Sequence, residues 1–154
     1  MAKFHSLGEI IEIPKYDGRK ISLSTKDGKP LRIQTPRMYM PFGISGFTPV
    51  VGTTKWNLDF SMKGYDEDDN YVKKFYETVQ NVENMIIHEV SAQSDNIFGK
   101  HMSYEELKPI FNSNIKHTPD REPKFRVRVD TSIAGELKAG VFNSEKEQLR
   151  DVLK

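Results

Sequence analysis

The chain has 154 residues, no cysteine, 36% hydrophobic residues and a formal net charge of +1 at pH 7, a size at which one domain can bury its own core without staples. Disulfides, thiolate metal sites and cysteine nucleophiles are excluded, and a reducing compartment is the expected setting. The small total hides a segregation: residues 1–63 carry 10 Lys and Arg against 5 Asp and Glu, residues 64–95 carry 2 against 8, residues 96–130 carry 7 against 5, and the rest 4 against 4. A basic first half and an acidic middle can present opposite faces, so a near-neutral chain can still hold a polyanion.

The start, Met1-Ala2-Lys3-Phe4-His5, does not open an apolar signal region, and no stretch approaches the roughly 20 apolar residues of a membrane span. An intracellular protein without a membrane partner is expected. No repeat or long linker interrupts the chain, so a single domain over 1–154 is the simplest organisation, with 142–154 as an amphipathic helix or C-terminal arm.

The first sixty residues read as strands at 9–13, 20–24 and 31–35, the last two joined by a turn at Lys26-Asp27-Gly28-Lys29, a strong hairpin signal. Residues 37–40 continue the sheet, and the proline- and glycine-rich 41–52 reads as a loop, with Gly43 to Gly46 as a flexible turn. The clearest strand follows, since Trp56, Leu58, Phe60 and Met62 alternate with Asn57, Asp59 and Ser61, which directs the large apolar side chains to one face. The acidic run Asp66-Glu67-Asp68-Asp69 precedes a helix of about twenty residues, with Val72, Phe75, Tyr76, Val79, Val82, Met85, Ile86 and Val90 at helical spacing. Its carboxylates are expected in the first turn, against the positive end of the helix dipole. Ser103 and Glu106 have the spacing of a capping box for a short helix ending near Phe111. Phe125, Val127 and Val129 then alternate with Arg126 and Arg128, a strand with one apolar and one basic face.

Catalytic signatures are sparse. His5, His88, His101 and His117 occur singly, without the spacing of a helical metal site. No phosphate-cradling glycine loop or nucleophile elbow is present, and the 66–69 cluster lacks the spaced ligands and closing Glu of a calcium loop. A non-enzymatic protein with no cofactor and no metal is expected. What remains is a set of cations and aromatics along predicted strands: Arg32, Arg37, Tyr39, Phe47, Lys55, Lys116, Lys124, Arg126 and Arg128. Single-stranded nucleic acid is held by cations tracking its phosphates and by rings on which bases stack, each stack worth roughly 1–3 kcal/mol. Arg126 and Arg128 share a face about 7 Å apart, close to the phosphate repeat of an extended strand. Replacing both with alanine is expected to weaken DNA binding and leave thermal stability nearly unchanged.

Strands, a helical insertion and a late strand fit a barrel, a sandwich or an open α+β sheet. A resemblance selects among them. The order Gln34-Thr35-Pro36-Arg37, Pro41-Phe42-Gly43, the alternating strand from Trp56 to Met62, Ile97-Phe98-Gly99-Lys100, Met102-Ser103-Tyr104-Glu105-Glu106-Leu107 and Phe125-Arg126-Val127-Arg128-Val129 resembles a small protein family of nucleocytoplasmic large DNA viruses. That family is itself similar to the single-stranded DNA-binding proteins of short-tailed bacteriophages, and the resemblance spans residues 20–130. It implies a mainly β, α+β fold: an OB-like five-stranded Greek-key barrel with one long and one or two short helices. It further implies coating of single-stranded DNA in replication, recombination or repair, in host cytoplasm, viral factory or nucleus, with replication proteins and a second copy as further partners. Phe98-Gly99-Lys100 would then be a turn placing Lys100 near the backbone. The phage proteins end in a strongly acidic tail with a terminal aromatic, whereas this chain ends in a charge-balanced segment closing on Leu153-Lys154. The competing class is a structural component of the virus particle, a minor capsid or core protein that binds protein through the same face.

Overall fold

A computed structural model describes residues 14–150, 152 and 153, and its elements are helical in the middle of the chain and antiparallel sheet on either side. They sort into two units, each built from two separated stretches: one collects residues up to Arg37 and Lys63–Ser113, the other Met38–Met62 and the chain from Asn114 onward. The strand expected at 9–13 lies outside the described residues.

In the first unit, β1 (Lys15–Tyr16) pairs antiparallel with β2 (Ile21–Ser22). The Asp17 carboxylate accepts from the backbone N–H groups of Arg19 and Lys20, both at 2.9 Å, and closes the turn between them. The Asp27-Gly28 turn also forms, with the Thr25 N–H donating to the Lys29 carbonyl at 2.8 Å. The hairpin expected around it shrinks to a single bridge between Ser24 and Pro30, and residues 31–35 form no strand. Pro30 lacks the N–H that a regular ladder needs at that place.

The helix α1 (Tyr71–Ala92) runs 22 residues, as the apolar spacing predicts. Asn70 starts it: its side-chain oxygen accepts from the Lys73 N–H at 2.8 Å, and its amide donates to the carbonyls of Gly64 and Glu67. Such a cap satisfies a donor that the first turn leaves orphaned. The acidic run is displaced from the position expected of it, because the first turn holds no carboxylate; Asp68 instead pairs with Lys73 from outside the cap, at 2.9 Å. Phe75, Val79, Val82 and Ile87 form the buried stripe, and Val82 packs with Leu23, Leu31, Met85 and Ile86. Glu83 is buried in the same stripe and accepts from the Ser113 hydroxyl at 2.6 Å, the pairing that a carboxylate needs there.

Two short helices follow, α2 (Ser94–Phe98) and α3 (Tyr104–Leu107), the latter continued by a 3₁₀ turn over Lys108–Ile110. The capping box predicted from Ser103 and Glu106 is present in both directions. Ser94 is fully buried; its hydroxyl donates to the Ser91 carbonyl at 2.7 Å and accepts from the Met102 N–H at 2.9 Å, tying the end of α1 to the entry of α3. Gly99 ends α2 with φ of 74°, a conformation that costs glycine little and other residues more.

The second unit is built on one four-stranded antiparallel sheet of β3 (Ile44–Phe47), β4 (Lys55–Ser61), β5 (Ile115–Lys116) and β6 (Lys124–Val129), in the order β3-β4-β6-β5. Across the central pair, Trp56 lies opposite Val129, Leu58 opposite Val127 and Phe60 opposite Phe125, and Ile44 faces Leu58 from β3. This is the apolar face that the alternation predicts. Leu137 and Val141 meet it around a cavity of about 500 Å³ that Ile44, Leu58 and Val127 also line.

Three expectations change here. The segment 44–47 is a strand and not a flexible turn, because glycine in β3 makes room for a partner: a Cβ on Gly46 would sit 2.6 Å from the Trp56 ring. Residues 37–40 form no strand, although the Tyr39 carbonyl accepts from the Ser61 N–H at 2.7 Å and extends the sheet by that one bond. Residues 142–150 are no helix: β7 (Val141–Phe142) and β8 (Gln148–Leu149) form a hairpin, turned by the Asn143 side chain, which accepts from the N–H groups of Glu145 and Glu147 at 2.9 Å, a local bond that competes with helix. The fold is therefore α+β with antiparallel pairing. The described strands form open sheets, not the closed five-stranded barrel expected.

Candidate nucleic-acid interface

Side chains two apart on a strand share a face, and residues paired across strands share it too. The register Ser45↔Asn57, Phe47↔Lys55, Asn57↔Arg128, Asp59↔Arg126, Ser61↔Lys124 and Lys116↔Lys124 therefore puts Phe47, Lys55, Lys116, Lys124, Arg126 and Arg128 on one face of the four-stranded sheet. Six of the residues singled out from sequence, drawn from four strands, converge on the side opposite Trp56 and Phe60. Phe47, Lys55, Arg126 and Arg128 are exposed.

Pairing also reveals what the sequence did not announce. Arg126 grips Asp59 of the neighbouring strand with two bonds, Nε to Oδ1 at 2.7 Å and Nη2 to Oδ2 at 3.0 Å. The guanidinium holds the Asp59 carboxyl below its usual range, against the opposing effect of burial, and the charges of Lys124 and Lys116 act in the same direction. The Arg126 guanidinium is in turn held more firmly protonated by Asp59. The centre of the basic face is thus an ion pair, and two of the five guanidinium donors are committed to it. Arg128 sits opposite a neutral Asn57.

The second addition is Phe42. Its ring lies 5.9 Å from the Lys124 ammonium, within cation–π reach, and it is 61% exposed. Tyr39, held at the same end by its bond to Ser61, is 73% exposed. Phe42 lies in a segment whose sequence carries no charge and no period, so only the packing shows where its ring goes. Arg32, Arg37 and Lys100 belong to the other unit and are exposed there; Phe98-Gly99-Lys100 is a turn as expected, closed by the bond from the Gly99 N–H to the Asp95 carbonyl at 3.0 Å.

Among the described residues no three His, Cys, Asp or Glu side chains converge as metal ligands, and no helix is long and apolar enough to cross a membrane. His88 stacks on Tyr104 with ring centroids 4.5 Å apart, and the Tyr104 hydroxyl and the Lys108 ammonium both donate to the Asn84 side-chain oxygen, a local polar network. No protein family, no curated protein and no solved structure matches the chain.

Proposed function

We propose that this chain is a non-enzymatic single-stranded DNA-binding protein and that the cationic face of the β3-β4-β6-β5 sheet is where the strand lies. The observation that carries this reading is the convergence of Lys55, Lys116, Lys124, Arg126 and Arg128 from three strands on one face, flanked by the exposed rings of Phe47 and Phe42. Cations in a row with rings beside them match an extended polyanion with unstacked bases. A docking face for a folded protein would instead be expected to carry apolar anchors at its centre, where this face has the Asp59–Arg126 pair. The OB-like barrel of the resembled family is not a requirement for this, since an open sheet face presents the same groups. In this reading the protein acts in replication, recombination or repair in an infected cell.

Anisotropy of a fluorescent thirty-base strand, with duplex of the same length as competitor, tests this. Five cations opposed by two carboxylates, Asp59 and the Glu122 that accepts from Ser61 at 3.1 Å, correspond to about three phosphate neutralisations and a log–log salt slope of about −2 for a single strand. Single-strand-selective binding with that slope supports the reading. No binding at low salt would turn the assignment to a virion component that uses the sheet to hold protein.

A further inference from the structure

Two of the exposed phenylalanines, Phe42 and Phe47, sit at opposite ends of the basic face. Phe47 is paired with Lys55, where β4 begins, while the Phe42 ring approaches Lys124, which pairs with Ser61, where β4 ends. Six strand steps separate Lys55 from Ser61, about 20 Å at 3.3 Å per residue. An extended single strand covers that span in about three phosphate steps.

Phe47 is 65% and Phe42 61% exposed, so both rings are open to a stacking partner. Phe47 even points away from the apolar face, since Gly46 and its partner Trp56 occupy that side. Each ring has a cation beside it, Lys55 and Lys124, so a stacked base and its phosphate can be held together. Between the rings, Asp59 repels phosphate at the centre and its bond to Arg126 keeps that guanidinium occupied.

We propose that Phe42 and Phe47 bound a short single-stranded DNA site of about four nucleotides and that each ring stacks on a base. This rests on the strand-binding reading and adds its footprint and its selectivity: a duplex keeps its bases stacked inside and offers the rings nothing.

The test uses the full chain and compares wild type, Phe42→Ala and Phe47→Ala on oligothymidylates of two to twelve residues and on a twelve-residue strand lacking all bases. Affinity is expected to climb up to about four nucleotides and to rise only statistically beyond. Each variant is expected to bind the twelve-residue oligothymidylate about 5- to 150-fold more weakly, to bind the base-free strand as wild type does, and to keep the wild-type salt slope. Thermal melting checks that both variants are folded, as their exposure predicts. If wild type binds oligothymidylate but the alanine variants bind it equally well, the stacking proposal falls and the strand-binding reading stands. A loss of the same size on the base-free strand also overturns it, because the missing contact would not be to a base. If wild type binds no strand at low salt, both fall together.

Discussion

Asp59 is the one carboxylate paired into the centre of the cationic face, and replacing it with asparagine separates the two roles a charge can have there. Asp59→Asn keeps the shape, removes one negative charge and releases the guanidinium that Asp59 holds through two bonds. One further cation available to phosphate steepens the log–log salt slope by about 0.7, which at 0.1 M salt is about a fivefold gain in affinity. Stability moves the other way. The Arg126 side chain is 48% exposed and the Asp59 side chain 13%, so the pair is screened and its loss costs about 1 kcal/mol or less, equivalent to a fall of at most about 2–4 °C in melting temperature for a chain of this size. The pH dependence has a definite sign. Because Arg126 lowers the Asp59 pKa in the folded state, the stabilisation is present above the unfolded aspartate value of about 4 and disappears as pH falls through the lowered folded value. The melting-temperature gap between wild type and Asp59→Asn should therefore hold from neutral pH down to about 4 and close below it. Anisotropy at four salt concentrations and thermal melts from pH 7 to pH 2 read both effects. Weaker binding by Asp59→Asn at every salt concentration, with an unchanged slope, would refute the reasoning and assign Asp59 to a base amine as an acceptor.

Arg128→Ala, which breaks no ion pair, should flatten the salt slope by about 0.7 with thermal stability unchanged; Arg126→Ala should flatten it at least as much and also lower the melting temperature, because it strips Asp59 of its partner, so the stability-neutral double variant expected from sequence is replaced by two distinguishable single ones. Gly46→Ala places a Cβ 2.6 Å from the Trp56 ring and should cost about 1–3 kcal/mol as overpacking, read by denaturant unfolding with the emission of Trp56, the single tryptophan of the chain. Ser94→Ala removes the hydroxyl that serves both Ser91 and Met102 in a fully buried place and should cost about 1–3 kcal/mol, read by denaturant unfolding followed through the circular dichroism of the helical unit that holds it; a loss under a few tenths would mean that water replaces the hydroxyl there.

Local chemistry was the legible part of this sequence. The capping box at Ser103, the long amphipathic helix and the alternating strands around Trp56 and Val127 are written in residues near one another, and each stands in the structure with small shifts of boundary. What failed depends on partners distant in the chain. Ile44–Phe47 reads as a turn because serine and glycine have little strand propensity, and becomes a strand because β4 supplies the ladder and Trp56 needs a residue without a side chain opposite it. Phe142 and the residues after it alternate charge well enough for a helix, yet Asn143 captures the backbone two and four residues on and folds it into a hairpin. The basic face was legible as a list of residues but not as a surface: alternation placed Arg126 with Arg128, whereas Asp59 and Phe42 entered only when register and packing were known.

The central pair of the sheet joins residues far apart in the chain, Asp59 and Arg126 being 67 positions apart. At about 5–20 residues per second of synthesis, β4 emerges several seconds before β6 exists to cover its flank, with β3 as its early companion. During that interval Trp56, Leu58 and Phe60 stand on an uncovered strand edge, the kind of segment that recruits other chains. Co-expression with a holding chaperone, which covers such a segment until β6 arrives, should therefore raise the yield of folded protein.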